Sequence, residues 1–119
     1  MSTTILLVDD EKDILVALKE LLEMEGYVVI TAGNGKTGLQ MYNDFKPDLI
    51  ITDIMMPVMN GHEMIKLIRE EPHLSQVPII VMSSVISLAS AVDPQWNYFI
   101  RKPSGIDDLL KVIVKLLEK

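Results

Sequence analysis

Five short apolar runs punctuate this chain, and a stretch of helical periodicity follows each of them in turn. The runs are Thr4–Val8, Tyr27–Thr31, Asp48–Thr52, Ile79–Met82 and Tyr98–Arg101. Four of them are rich in Ile, Val or Leu with little alternation, as strands buried on both faces of a parallel sheet are. The fifth, around Phe99 and Ile100, is less apolar and suits an edge. Between the runs, Ile14, Leu15, Leu18, Leu21 and Leu22 fall on one helical face, and Gly26 ends that helix. A second helix over 36–45 stops before Pro47 and a third over 61–70 stops before Pro72. The last carries Ile106, Leu109, Leu110, Ile113, Leu116 and Leu117 on one face, with Ser104 as its N-cap and Asp107 completing a weak capping box. Strand and helix alternating in this way give right-handed crossovers and a three-layer α/β sandwich.

At 119 residues, 49% of them hydrophobic and 24% charged, the chain has the size and balance of one globular domain. It contains no cysteine, which excludes disulfides and thiolate metal sites. The apolar run Ile5–Val8 is too short for a signal peptide and meets Asp9 and Asp10 at once. No stretch approaches the roughly 20 apolar residues of a membrane helix, so a cytoplasmic location away from membranes is expected. The net charge is −6 with scattered basic residues. Phosphate backbones select clustered Lys and Arg, so no direct contact with nucleic acid is expected.

In open α/β sheets, ligands bind beyond the carboxyl ends of the strands. Asp9 and Asp10 close the first strand, Asp53 the third, Ser83 the fourth and Lys102 the fifth. Three carboxylates gathered at one rim repel, at roughly 4 kcal/mol for two charges about 4 Å apart in an effective dielectric near 20. A hard divalent cation with oxygen ligands and retained waters, such as Mg²⁺, removes that penalty. One carboxylate can then attack phosphorus as a nucleophile. Metal and ammonium neutralise the charge on the phosphoryl oxygens. Asp53 is the candidate nucleophile, Asp9 and Asp10 the metal ligands, and Lys102 and Ser83 the phosphoryl-binding groups. Taken singly, each residue has a plainer explanation: a solvated loop start, a helix cap or a surface side chain. Their convergence favours the chemical reading.

The sequence also resembles the receiver domains of two-component response regulators, the CheY-like family. The resemblance rests on Leu6-Leu7-Val8-Asp9-Asp10-Glu11, on Asp53-Ile54-Met55-Met56-Pro57-Val58-Met59-Asn60-Gly61, and on Arg101-Lys102-Pro103. It covers nearly the whole chain and implies a flavodoxin-like sandwich with a five-stranded parallel sheet in the order 2-1-3-4-5. By position, it makes Asp53 the phosphoacceptor and sets Asp9 and Asp10 around Mg²⁺, with Mn²⁺ as an alternative ion. Met55 then supplies a backbone carbonyl to the metal. Ser83 and Lys102 match the family's hydroxyl residue and lysine, and Phe99 its aromatic switch residue, which turns inward when the hydroxyl moves. The Lys102–Pro103 bond is expected to be cis, as is common in the family. The implied function is Mg²⁺-dependent transfer of a phosphoryl group from a phosphohistidine to Asp53, switching a partner-binding surface. The donor is a sensor histidine kinase or a histidine phosphotransfer protein; the effector is not implied, and dimerisation stays open. Residues 1–119 are expected to form a single receiver domain with no output domain. Such a chain catalyses only its own aspartyl phosphorylation and dephosphorylation, so it is not an enzyme acting on an external metabolite.

Two departures stand out. The step from Ser83 to Lys102 is 19 residues, short for the family, so the fourth helix is expected to be abbreviated. Ser104 follows Pro103 where a bulky apolar residue is common. Other classes remain to be weighed. Gly33-Asn34-Gly35-Lys36-Thr37-Gly38 fits G-x-G-x-x-G between a strand and a helix and raises nucleotide binding. A loop turning into a helix explains those glycines equally well, so no organic cofactor is expected. A pseudo-receiver would lack part of the acidic set, and an Asp-nucleophile phosphatase would want an acid where Met55 stands. His62 and His73 have no metal-ligand spacing, the methionines suit packing, and Trp96 suits either the short fourth segment or a partner surface.

Overall fold

Ile5, Leu6, Leu7 and Val8 are all fully shielded, although successive side chains on a strand point to opposite faces. Only a strand covered on both sides satisfies that. The computed structural model describes residues 2–70, 76–84, 95–102 and 105–117. It has strands β1 (Thr4–Val8), β2 (Val28–Ala32), β3 (Leu49–Thr52), β4 (Ile79–Ser83) and β5 (Tyr98–Arg101). Its described helices, numbered here in chain order, are α1 (Lys12–Met24), α2 (Gly35–Phe45), α3 (Gly61–Glu70) and α4 (Ile106–Leu117). The five strands form one sheet in the order β2-β1-β3-β4-β5, and every pairing is parallel.

Alternation along the strands sorts the core into two layers. Ile5, Leu7, Ile51, Ile80 and Met82 pack with Leu22 of α1 and with Leu109, Val112 and Ile113 of α4. Leu6, Val8, Ile50, Ile79 and Val81 pack on the other side with Tyr42 of α2 and with Met64, Ile65 and Ile68 of α3. The sequence thus gives a three-layer sandwich, with β2 and β5 as its partly exposed edges.

Some boundaries move for identifiable reasons. Strand β2 starts one residue later than its apolar run, because the Tyr27 N–H donates to Leu22 O at 3.2 Å and so closes α1. Gly26, at φ 94°, makes that reversal. Strand β3 starts after Asp48, whose carboxylate accepts from Thr4 N while its own N–H donates to Thr4 O, both at 2.8 Å. Strand β4 gains Ser83, which pairs with Arg101. Leu21, on the margin of the apolar stripe of α1, is exposed, whereas Val112 joins the buried face of α4. The abbreviated helix expected between Ser83 and Lys102, the Ser104 cap and the Lys102–Pro103 bond lie outside the described residues.

The sheet order reverses between β1 and β3, since the chain leaves β1 to one side for β2 and returns to the other for β3. Doubly wound sheets bind ligands outside the carboxyl ends of the strands at that place.

Candidate functional site

The backbone ladders carry β1 and β3 one residue past their formal ends. Asp9 N donates to Ala32 O at 3.1 Å, and Asp53 N donates to Val8 O at 3.0 Å. Both carboxylates are therefore rooted in the sheet and largely buried, whereas Asp10 is exposed. Oxygens of Asp9, Asp10 and Asp53 lie within 4.8 Å of one another. Lys102, carried to the same rim by β5, sets its ammonium between Asp9 Oδ2 at 2.7 Å and Asp53 Oδ2 at 2.8 Å. Its position is fixed by its own N–H, which donates to Ser83 O at 2.9 Å. The other carboxylate oxygens accept backbone donors: Asp9 Oδ1 from Glu11 N at 2.9 Å, and Asp53 Oδ1 from Ile54 N at 2.6 Å.

Three carboxylates and one ammonium leave a local formal charge of −2, from −3 and +1. A divalent cation balances that charge, and an all-oxygen set with one exposed member leaves room for water ligands. The donors present fit Mg²⁺. Burial pulls the Lys102 ammonium toward neutrality, but its hydrogen bonds to Asp53 and Asp9 and their charges outweigh this, so its pKa is raised. Ser83 is buried at the end of β4. The β3–β4 register pairs Thr52 with Val81, so its extension sets Asp53 beside Met82 and puts Ser83 one step further along. Met55 follows two residues after Asp53 with its side chain mostly in solvent. Phe99 is half-buried on β5, level with Val81.

The segment from Ile54 to Asn60 is stitched to both flanking helices. Gly61 N donates to Ile54 O and Gly35 N to Met59 O, each at 2.8 Å. A Cβ on Gly61 would run into Asp53 O, and one on Gly35 into Met59 O. Asn60 caps α3 by accepting from Glu63 N at 2.9 Å. Asn34 caps α2 in the same way, accepting from Thr37 N at 2.9 Å. The glycine-rich stretch over 33–38 thus serves packing: Gly35 meets this loop, and Gly38 lies against Met64 and Val8. The amides that a nucleotide phosphate would need at Gly35 and Thr37 already have acceptors.

Sequence reasoning missed a second polar cluster, at the opposite ends of the strands. Arg69 of α3 donates to Gln95 O at 2.8 Å, Val77 O at 2.7 Å and Asn97 Oδ1 at 3.2 Å. Asn97 in turn brackets Ile79, accepting from its N–H at 2.8 Å and donating to its carbonyl at 2.9 Å. The available signal was an arginine in the last turn of an amphipathic helix, whose stem is expected to snorkel along the core.

Residues 5–114 match the family model described as "Response regulator receiver domain". The chain is 31% identical over 118 residues to Regulatory protein AtoC of Escherichia coli, covering 96% of this chain and 25% of AtoC. It thus spans about a quarter of that relative's length. Its fold is similar to chemotaxis response regulator CheY4 of Vibrio cholerae, with a TM-score of 0.88, 28% identity, and coverage of 98% of this chain and 100% of that one. It is similar also to response regulator protein TrrA of Thermotoga maritima in complex with Mg²⁺-BeF, with a TM-score of 0.85, 34% identity, and coverage of 97% and 99%.

Proposed function

The chain belongs to the response regulator receiver family of two-component signalling, and from that premise we propose that Asp53 is its phosphoacceptor. The supporting observation is the Lys102 ammonium bridging Asp9 and Asp53 within a three-carboxylate rim of net charge −2. Mg²⁺, or Mn²⁺ in its place, would be held by Asp9, Asp10, Asp53 and the Met55 carbonyl, and would neutralise charge on the phosphoryl oxygens. The similar TrrA structure holds Mg²⁺ with beryllium fluoride, a phosphoryl analogue, which favours the same pair of ligands here.

The transfer needs no separate base. A carboxylate oxygen of Asp53 forms the new bond to phosphorus as the bond to the donor nitrogen breaks, and the imidazole leaves with the electron pair. Lys102 stays within reach of Asp53 and can follow the transferred oxygens, since ammonium donors turn freely on their stem. Ser83 donates its hydroxyl to the same group. Phosphorylation adds about −2 of charge and new acceptor oxygens. Phe99, two strands from the acceptor, turns inward as Ser83 moves and so alters a surface beside β5.

The donor is a phosphohistidine of a sensor kinase or a phosphotransfer protein in the cytoplasm, and the chain turns over no external metabolite. Incubation with Mg²⁺ and phosphoramidate, followed by intact-mass measurement, tests the assignment. One phosphoryl group is expected on the wild type and none on Asp53→Asn. An unmodified wild type, or equal modification of the variant, would refute it.

A further inference from the structure

Trp96 is the chain's single tryptophan, and the chemistry above makes no use of it. It is only 7% exposed and sits in the apolar cluster that contains Ile54, which follows the acceptor, and Val81, which pairs with Phe99. Two other rings pack near its indole. The Phe99 ring is 6.4 Å away, centroid to centroid, with the planes tilted by 39°. The His62 ring, in the first turn of α3, is 5.4 Å away at a tilt of 49°. Both separations fall in the range of about 4.5–7 Å over which aromatic rings pack specifically.

The backbone on either side of Trp96 is anchored. Gln95 O accepts from Arg69 Nε at 2.8 Å, and Asn97 is hydrogen-bonded to Ile79 through both its backbone and its side chain. The indole is thus mounted on α3 and β4 and cannot recede as a unit. Close-packed interiors accommodate a moving ring by discrete rearrangement of its neighbours. The indole neighbours both Phe99 and His62, so a shift of Phe99 answered by rotation of the indole would change the surroundings of His62.

We propose that Trp96 is the positioning residue through which Phe99 acts, re-orienting when Phe99 turns inward and carrying the change to His62. The phosphorylated state is then displayed on the α3 face as well as beside β5. This inference rests on the reading of Asp53 as phosphoacceptor and of Phe99 as the ring that moves.

Indole emission reports on one residue in this chain, so the test is direct. The full chain is treated with Mg²⁺ and phosphoramidate while emission and intact mass are followed on the same samples. Emission is expected to change in proportion to the modified fraction in the wild type. It is expected to stay constant in Phe99→Leu at an equal modified fraction. The imidazole Cε1–H resonance of His62, distinguished from that of His73 by His73→Gln, is expected to shift on phosphorylation. That shift is expected to be lost in Trp96→Leu. Unchanged wild-type emission alongside a gain of mass would overturn the role of Trp96 and leave the Asp53 assignment standing. An emission change that persists in Phe99→Leu would overturn it as well. Should the mass not change at all, both readings fall together.

Discussion

Lys102 is the residue on which the resting site turns. Its ammonium is mostly shielded, at 13% side-chain exposure, and supplies the described counter-charge to two neighbouring carboxylates. Burial alone would lower its pKa, yet the hydrogen bonds to Asp53 and Asp9 and the charges behind them raise it above the ordinary 10.5. The folded protein therefore holds this proton more tightly than the unfolded chain does. Such a group stabilises the fold fully below the unfolded value, and the contribution disappears as pH rises through the folded value. In metal-free buffer at pH 8, Lys102→Met is expected to be less stable than the wild type by about 1–2 kcal/mol, a figure reduced from that of a fully buried pair for its partial exposure. In urea titrations that gap should hold from pH 7 to about pH 10 and narrow only above the ordinary lysine value. A gap that closes between pH 7 and pH 9 would contradict the assignment.

Among the described residues, the connection from β3 to α3 holds the β-branched residue with a positive φ. Val58 has φ 68°, in the left-handed region where a β-branched residue is rarely found. L-residues are disfavoured there by roughly 1–2 kcal/mol, and asparagine less so because its short side chain bonds locally. Val58 is also 77% exposed, so replacing it disturbs little packing. Val58→Asn is accordingly expected to stabilise the fold by about 0.5–1 kcal/mol in chemical denaturation, within the cost the left-handed backbone imposes. A loss of stability would mean that the valine side chain contributes packing its exposure does not reveal. The strain itself was not legible in the sequence, because Pro57-Val58-Met59 contains no glycine to mark a positive φ. Elements with strong periodicity were legible: β1, β5 and α3 have the expected ends, and the sheet order follows the family resemblance. Structure and periodicity diverge where one hydrogen bond decides a boundary, as at Tyr27, or where a residue sits at the margin of a stripe, as Leu21 and Val112 do. Asp9, Asp53 and Lys102 could be placed at one rim because a parallel sheet aligns its carboxyl ends. The Arg69 clamp and the setting of Trp96 could not, since each depends on side chains meeting across elements far apart in sequence.

Taken as a whole, the molecule sets an electrostatically unfavourable rim on a favourable core. Two apolar layers fix the sheet, and the sheet fixes carboxylates that one ammonium neutralises only in part. A domain stable by only about 5–15 kcal/mol should register that frustration. The described ion pairs of Lys102 run to Asp9 and Asp53, so Asp10 contributes repulsion to the metal-free fold without a share of this pairing. Exposure and salt reduce its effect below the bare Coulomb figure, to about 1 kcal/mol. Asp10→Asn should therefore raise the melting temperature of the metal-free protein by about 4 °C, the usual conversion for a domain near this size. Mg²⁺ should have the complementary effect on the wild type. At ten times its dissociation constant it adds about 1.4 kcal/mol, or a further 5 °C or so. The variant has one anionic ligand fewer, so it should lose most of that response. Calorimetry of both proteins with EDTA and with Mg²⁺ separates the two effects. If Asp10→Asn melts below the wild type without metal, or keeps the wild type's gain with it, then Asp10 is a structural residue and the rim is not poised for a cation.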